Sequence, residues 1–271
     1  MKNNTSNTEI NESPTSRALK IVVFGGTGLI GSKVVKLLRS AGHEAVPASP
    51  SLGVNTVTGE GLADILKGAD VVVDVTNSPS FEDGPVMDFF RISNTHLMRA
   101  EKAAGIRHHV ALSVVGTDRL QSSGYFRAKL VQETLIKESG IAYTLVRATQ
   151  FFEFISTIAH GSTREDKVYL PSAGFQPVAS DDVAAAVADS ALAPPLNGIL
   201  EVAGPDHAGI DEIVREFLDI TGDSRSVVTD ESATYFGTPL EQGSLTPTPG
   251  AHIRIGAIHL SEWLNRNAGS H

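Results

Sequence analysis

Two groups of residues in this chain have types and spacing that suit chemistry. Gly25, Gly28 and Gly31 form a G-x-x-G-x-x-G series within IVVFGGTGLIGSKVV. Tyr125 and Lys129 stand four positions apart in GYFRAK. Four residues is about one helical turn, so the phenol and the ammonium would share one helix face. That face is either a proton-delivery device or one side of an amphipathic helix. Which it is depends on whether a redox cofactor lies opposite it. The glycine series speaks for such a cofactor. One glycine permits a tight turn, one lets the backbone approach a pyrophosphate, and one lets the helix pack closely on the sheet. Thr27, Leu29 and Ile30 lie in the same turn, where a helix N-terminus offers free N–H groups and a positive dipole end. A Walker phosphate loop is excluded by register, because Ser32 stands where that motif needs lysine.

These groups need strands and helices to position them, and the sequence supplies both in alternation. LKIVVFG is a continuous apolar run ending in glycine, as in a parallel strand buried on both faces. A helix follows to Gly42, then a strand through HEAVPAS, where Pro47 points to an edge or a bend. A short helix over GEGLADILKGAD leads to a third strand, DVVVDVT. A long helix begins near Pro85 and stops at Gly105, followed by a fourth strand, RHHVALSVV. GYFRAKLVQETLIKESG is helical and IAYTLVRAT is a fifth strand. Five strands alternating with helices predict an α/β fold, a doubly wound parallel sheet of the Rossmann type. Later segments read as short strands and helices, with Ser180 a candidate N-cap. The expected organisation is a disordered tail over 1–17, a dinucleotide-binding core over 18–150, and a C-terminal region over 151–271. That last region completes the sheet and covers the substrate pocket.

Composition narrows the function. The chain has 271 residues, 41% hydrophobic and 20% charged, which supports a sizeable core. Its net charge of −9 argues against nucleic acid and anionic membrane as partners. Cysteine is absent, which rules out disulfides and thiolate sites. The N-terminal stretch lacks an apolar h-region, so a cytoplasmic protein is expected. No metal site is expected either. His108 and His109 are adjacent on a strand and would face opposite ways, and His252 and His259 lack the spacing of a helical pair. An NAD-selective site usually carries an acid at the end of its second strand. PASPSLGVN has none, whereas Ser49 and Ser51 could take a 2′-phosphate. NADP is therefore expected, with NAD possible. The competing reading makes both serines ordinary turn residues.

GGTGLIG, YFRAK and YTLVRATQFFEF together resemble the atypical short-chain dehydrogenase/reductases of the NmrA-like branch, over about residues 19–154. The resemblance implies that Tyr125 is the acid or base. It implies that Lys129 binds the nicotinamide ribose and lowers the tyrosine pKa, and that Ser113 helps hold a substrate carbonyl. It further implies that Thr76, Asn77 and Ala148 line the cofactor at the strand ends, with the stretch from Arg147 to Phe151 beside the nicotinamide. The activity so implied is NAD(P)H-dependent reduction of a small carbonyl or quinone-like substrate by a monomer or homodimer. The family also holds non-catalytic NADP-binding sensors, and an epimerase using the cofactor transiently is a third reading. Phe151, Phe152, Phe154, Phe175 and Tyr235 are candidates to wall an apolar pocket.

Overall fold

The computed structural model describes residues 17–267, so the expected N-terminal tail lies outside the described residues except for Arg17. Strand β1 (Lys20–Phe24) leads through the glycine turn into α1 (Leu29–Ser40), and β2 (Glu44–Ala48) follows. Next come α2 (Leu62–Ile65), β3 (Val71–Asp74), α3 (Asp83–Ala104), β4 (His108–Val114), α4 (Gly124–Glu138) and β5 (Tyr143–Ala148). The last third contains α5 (Ile155–Gly161), β6 (Thr163–Arg164), β7 (Lys167–Leu170), β8 (Gly174–Phe175) and α6 (Ser180–Leu192). It continues with β9 (Gly198–Ala203), β10 (Ala208–Gly209), α7 (Ile210–Thr221), β11 (Ser226–Thr229), β12 (Ile253–Ile255) and α8 (Leu260–Asn267).

The main sheet has seven strands in the order β12-β9-β5-β4-β3-β1-β2, and every pair is parallel. The apolar run of β1 is continuous because both its faces are buried. Ile21 and Val23 pack with Val34 and Leu38 of α1 and Val183 and Val187 of α6. Val22 and Phe24 point the other way, towards Leu66, Leu97 of α3 and Ile136 of α4. A Rossmann-type α/β sandwich is therefore present. Pro47 sits on β2, the outer strand, where a missing N–H costs no ladder bond.

Two of the seven strands, β9 and β12, come from the C-terminal third and extend the sheet beyond the five alternating units. The β12 stretch is short and half exposed, which is why its sequence carries little strand signal. Ser180 is not the N-cap of α6. Ala179 occupies that position, and the Ser180 hydroxyl donates to Glu153 while accepting from Lys33 Nζ at 2.7 Å. His108 and His109 do face opposite ways, towards Thr144 Oγ1 at 3.0 Å and Glu101 Oε1 at 2.9 Å.

Helix α4 is clamped to the sheet by a buried ion pair. Arg147 on β5 donates to both carboxylate oxygens of Glu133, Nε to Oε1 at 2.9 Å and Nη2 to Oε2 at 2.8 Å. Both side chains are almost fully buried. Arg147→Met would strand the Glu133 charge in the interior. It should cost about 3–5 kcal/mol, read as a lowered midpoint in urea unfolding.

Candidate active site

The carboxyl ends of β1 and β3 part on either side of the strand-order reversal, where ligands of open parallel sheets bind. Each glycine after β1 meets a different constraint there. Gly25 has φ +75°, and a side chain would strike the Val75 carbonyl oxygen at 2.8 Å. Gly31 lies against the Gly25 carbonyl, so a Cβ would separate α1 from its loop. Gly28 has ordinary dihedrals, and an added Cβ would meet one atom only, the Gly25 oxygen at 3.3 Å. Its other side is open and exposed, together with Thr27 and Leu29. Gly28 is also the N-cap of the twelve-residue α1 and provides no side-chain cap. The first-turn N–H groups of Leu29, Ile30 and Gly31 thus point outward at the positive end of the helix. The cradle fits a dinucleotide pyrophosphate.

Ser49 and Ser51 follow β2, their hydroxyls 2.9 Å apart, with Ser49 nearly buried and Ser51 exposed. Across the crevice Thr76 and Asn77 follow β3. The Thr76 hydroxyl donates to Asp74 Oδ1 at 2.7 Å. Ala148 ends β5 buried in the apolar core, so it can offer a ligand only its backbone. Beside it, the buried Thr149 Oγ1 has no hydrogen-bond partner among the described residues.

Tyr125 and Lys129 do share one face of α4, and Phe90 of α3 marks it. The Tyr125 ring lies 6.1 Å from the Phe90 ring, and Lys129 Nζ sits 4.5 Å above it. The Tyr125 hydroxyl donates a long bond, 3.4 Å, to Asn77 Oδ1. The exposed ring of Phe81 packs 5.5 Å from Tyr125. Lys129 is only 2% exposed. Its ammonium donates to the Leu112 carbonyl at 2.8 Å and to Gln132 Oε1. Burial pulls the Lys129 pKa down to about 8, against the opposing pull of Asp74 and Glu133. Burial also pushes the Tyr125 phenol up to about 12. In the protein alone, then, desolvation outweighs any help the lysine gives the phenolate.

The structure does not bring the Ser113 hydroxyl to Tyr125. It donates to Glu133 Oε1 at 2.7 Å and lies 3.3 Å from Thr117 Oγ1, within the buried Arg147 cluster. Arg147 belongs to that cluster too, with Asp118 Oδ2 at 3.2 Å, rather than to the crevice. Phe152 and Phe175 are fully buried core residues, not pocket walls. Tyr235 does come near the site. It sits on a tight turn closed by reciprocal backbone bonds with Thr238 at 2.8 and 3.0 Å. Its phenol is raised first by burial and then by the nearby Tyr125, while a hydrogen bond with Gln150 acts the other way. Sequence reasoning missed Phe81, Asp74 and Gln132, since an exposed loop phenylalanine and two buried polar side chains carry no motif.

Residues 25–194 match a family described as NAD(P)H-binding. The chain belongs to that NAD(P)H-binding family. Its cofactor is thus NAD(P)H, and the glycine turn lies at the start of the matched region. Among curated relatives, the photosystem II assembly factor Ycf39 of Cyanophora paradoxa is 26% identical over 50% of this chain and 46% of its own length. The NAD(P)H azoreductase of Xenophilus azovorans is 32% identical over 56% of this chain and 55% of its own. The chain spans about half the length of the curated relatives it matches. Among solved structures, the UDP-N-acetylglucosamine 4-epimerase of Bacillus cereus superposes with a TM-score of 0.68. It is 17% identical, covering 94% of this chain and 98% of that one, a likeness of fold. No helix among the described residues is long and apolar enough to cross a membrane.

Gly28 and Gly31 should separate binding from folding. Gly28→Val should leave the fold intact and abolish NADPH binding by isothermal titration, since the side chain would fill the phosphate's place. Gly31→Val should instead lower the melting temperature, because it pushes the helix off its loop.

Proposed function

We propose that this NAD(P)H-binding protein is an oxidoreductase that reduces a small carbonyl or quinone-like acceptor. The observation that carries the reading is the Tyr125–Lys129 face, a half-buried phenol one turn from a buried ammonium, near the carboxyl ends of β3 and β4. When bound, the cofactor supplies a hydride. The acceptor's heteroatom then gains an electron pair, and the Tyr125 hydroxyl donates the proton that neutralises it. Lys129 holds the ribose and carries the positive charge that lets the phenol give up its proton. Phe81 and Tyr235 flank Tyr125 and favour a flat, aromatic acceptor. The likeness to an azoreductase supports reduction of a conjugated acceptor.

Ser113 has a role in this scheme only through the network that fixes α4, because Glu133 already takes its proton. That occupied serine, with the likeness to an assembly factor, favours a second reading: an NADP-binding sensor without turnover. NADP is preferred over NAD because no acid lies between Ala48 and Glu60.

Two outcomes test the scheme. Tyr125→Phe keeps the ring and removes the proton. It should reduce turnover by about 10²–10⁴-fold in an NADPH-oxidation assay on carbonyl, quinone and azo panels, with NADPH affinity nearly unchanged. Turnover at the parent rate would favour the sensor. Ser49→Asp places a charge against the 2′-phosphate, so NADPH affinity should fall while NADH affinity holds or rises in a paired titration.

A further inference from the structure

Lys129 is held by a line of buried polar groups that the chemistry above leaves unexplained. Asp74, at the end of β3, is fully buried, and Gln132 is 1% exposed on α4. Gln132 Nε2 donates to Asp74 Oδ2 at 2.9 Å, while Gln132 Oε1 accepts from Lys129 Nζ. The other Asp74 oxygen accepts from Thr76, from its N–H at 3.0 Å and its hydroxyl at 2.7 Å.

The donors and acceptors fix the direction of this line. An ionised carboxylate can only accept, and an ammonium can only donate. A group joining them must offer a donor at one end and an acceptor at the other. The primary amide of glutamine does so in a single orientation. A carboxylate at position 132 would meet Asp74 acceptor to acceptor, and an apolar side chain would leave both charges unmatched. Both contacts are charge-assisted and shielded from water, which strengthens them.

The other groups facing Lys129 do not take over this task. Phe90 of α3 presents its ring and β4 presents the Leu112 carbonyl. Glu133, the neighbour of Gln132 on α4, is engaged by Arg147, Ser113 and Lys137. Tyr125, one turn back on the same helix, is a neutral phenol turned to Asn77. Beyond Asp74 lies the buried His109–Glu101 pair, joined at 2.9 Å. Burial opposes charge on His109, but Glu101 and, less, Asp74 raise its pKa overall, without a hydrogen bond to Asp74 among the described residues. The hydrogen bonds to the Asp74 carboxylate come from Gln132 and Thr76, not from a cationic side chain, among the described residues.

We infer that Asp74 and Gln132 are positioning residues for Lys129, with Gln132 relaying the Asp74 carboxylate to the ammonium so that a lysine buried among apolar groups stays protonated and fixed. Through Thr76 the same carboxylate orders the opposite lip of the crevice. The relay deepens the cofactor reading of Lys129, on which its consequence for binding rests. The relay itself is a property of the free protein.

A titration of the free protein tests it. With lysine labelled at 13Cε, the Lys129 signal is assigned by its loss in Lys129→Met, and its pH dependence is followed by NMR. The parent signal should titrate near pH 8, the value set by burial against Asp74 and Glu133. Asp74→Asn, and independently Gln132→Met, should move that midpoint down by about one unit or more, with the Lys137 signal unmoved as an internal control. A merely structural loosening would admit water and move the midpoint up, towards the ordinary lysine value. An upward shift or none, in whichever variant folds, overturns the relay. NADPH affinity then separates the two ideas. It should weaken as pH rises through the Lys129 midpoint and follow that midpoint down in the variants. If the NMR midpoint shifts but affinity does not follow, the relay stands and the cofactor role of Lys129 falls.

Discussion

The first turn of α1 carries N–H groups that no side chain caps, and it begins where β1 and β3 diverge. Backbone donors in such a place need an acceptor from outside the chain. Much of the surrounding structure exists to keep them there. Gly25 lets the chain turn against Val75, Gly31 keeps α1 close to the loop, and α1 is held to the sheet by Val34, Val35 and Leu38 beneath it. Gly28 alone among these glycines faces outward, at the positive end of the helix dipole.

The second half of the site depends on a different balance, that of burying charge. Lys129 is buried on α4, its ammonium bonded to a carbonyl and an amide oxygen and set above an aromatic ring. Arg147 and Glu133 neutralise one another a turn away and anchor the same helix. An ammonium kept dry in this way has a pKa near physiological pH, so modest changes in its surroundings alter its charge. The C-terminal third adds a separate apolar cluster built on Phe152, Phe175 and Leu218. Tyr235 packs against that cluster close to Tyr125.

The sheet was legible in the sequence because β1 and β3 are buried on both faces, so IVVF and VVV are unbroken apolar runs. β12 was not legible, since a three-residue, half-exposed outer strand has neither length nor pattern. The glycine turn was legible because its steric requirements leave glycine as the residue that fits. That Tyr125 and Lys129 share a helix face was legible from their spacing, but what the face does was not. The Asp74–Gln132 line was hidden because its residues lie 58 positions apart and meet only after the sheet has formed. Ser113 illustrates the converse: a serine at a strand end suggests chemistry, but Glu133, twenty positions on, takes its hydroxyl.

Hydrogen–deuterium exchange of the free and NADPH-bound protein, read peptide by peptide, tests the placement of the cofactor most directly. The account predicts slowed exchange over residues 24–32, where the free N–H groups of α1 gain an acceptor. It predicts the same over 74–78 and over 124–133, on the two lips that hold Thr76 and Lys129. NADPH binding that leaves these three segments unchanged, or that protects only residues 151–267, would contradict it.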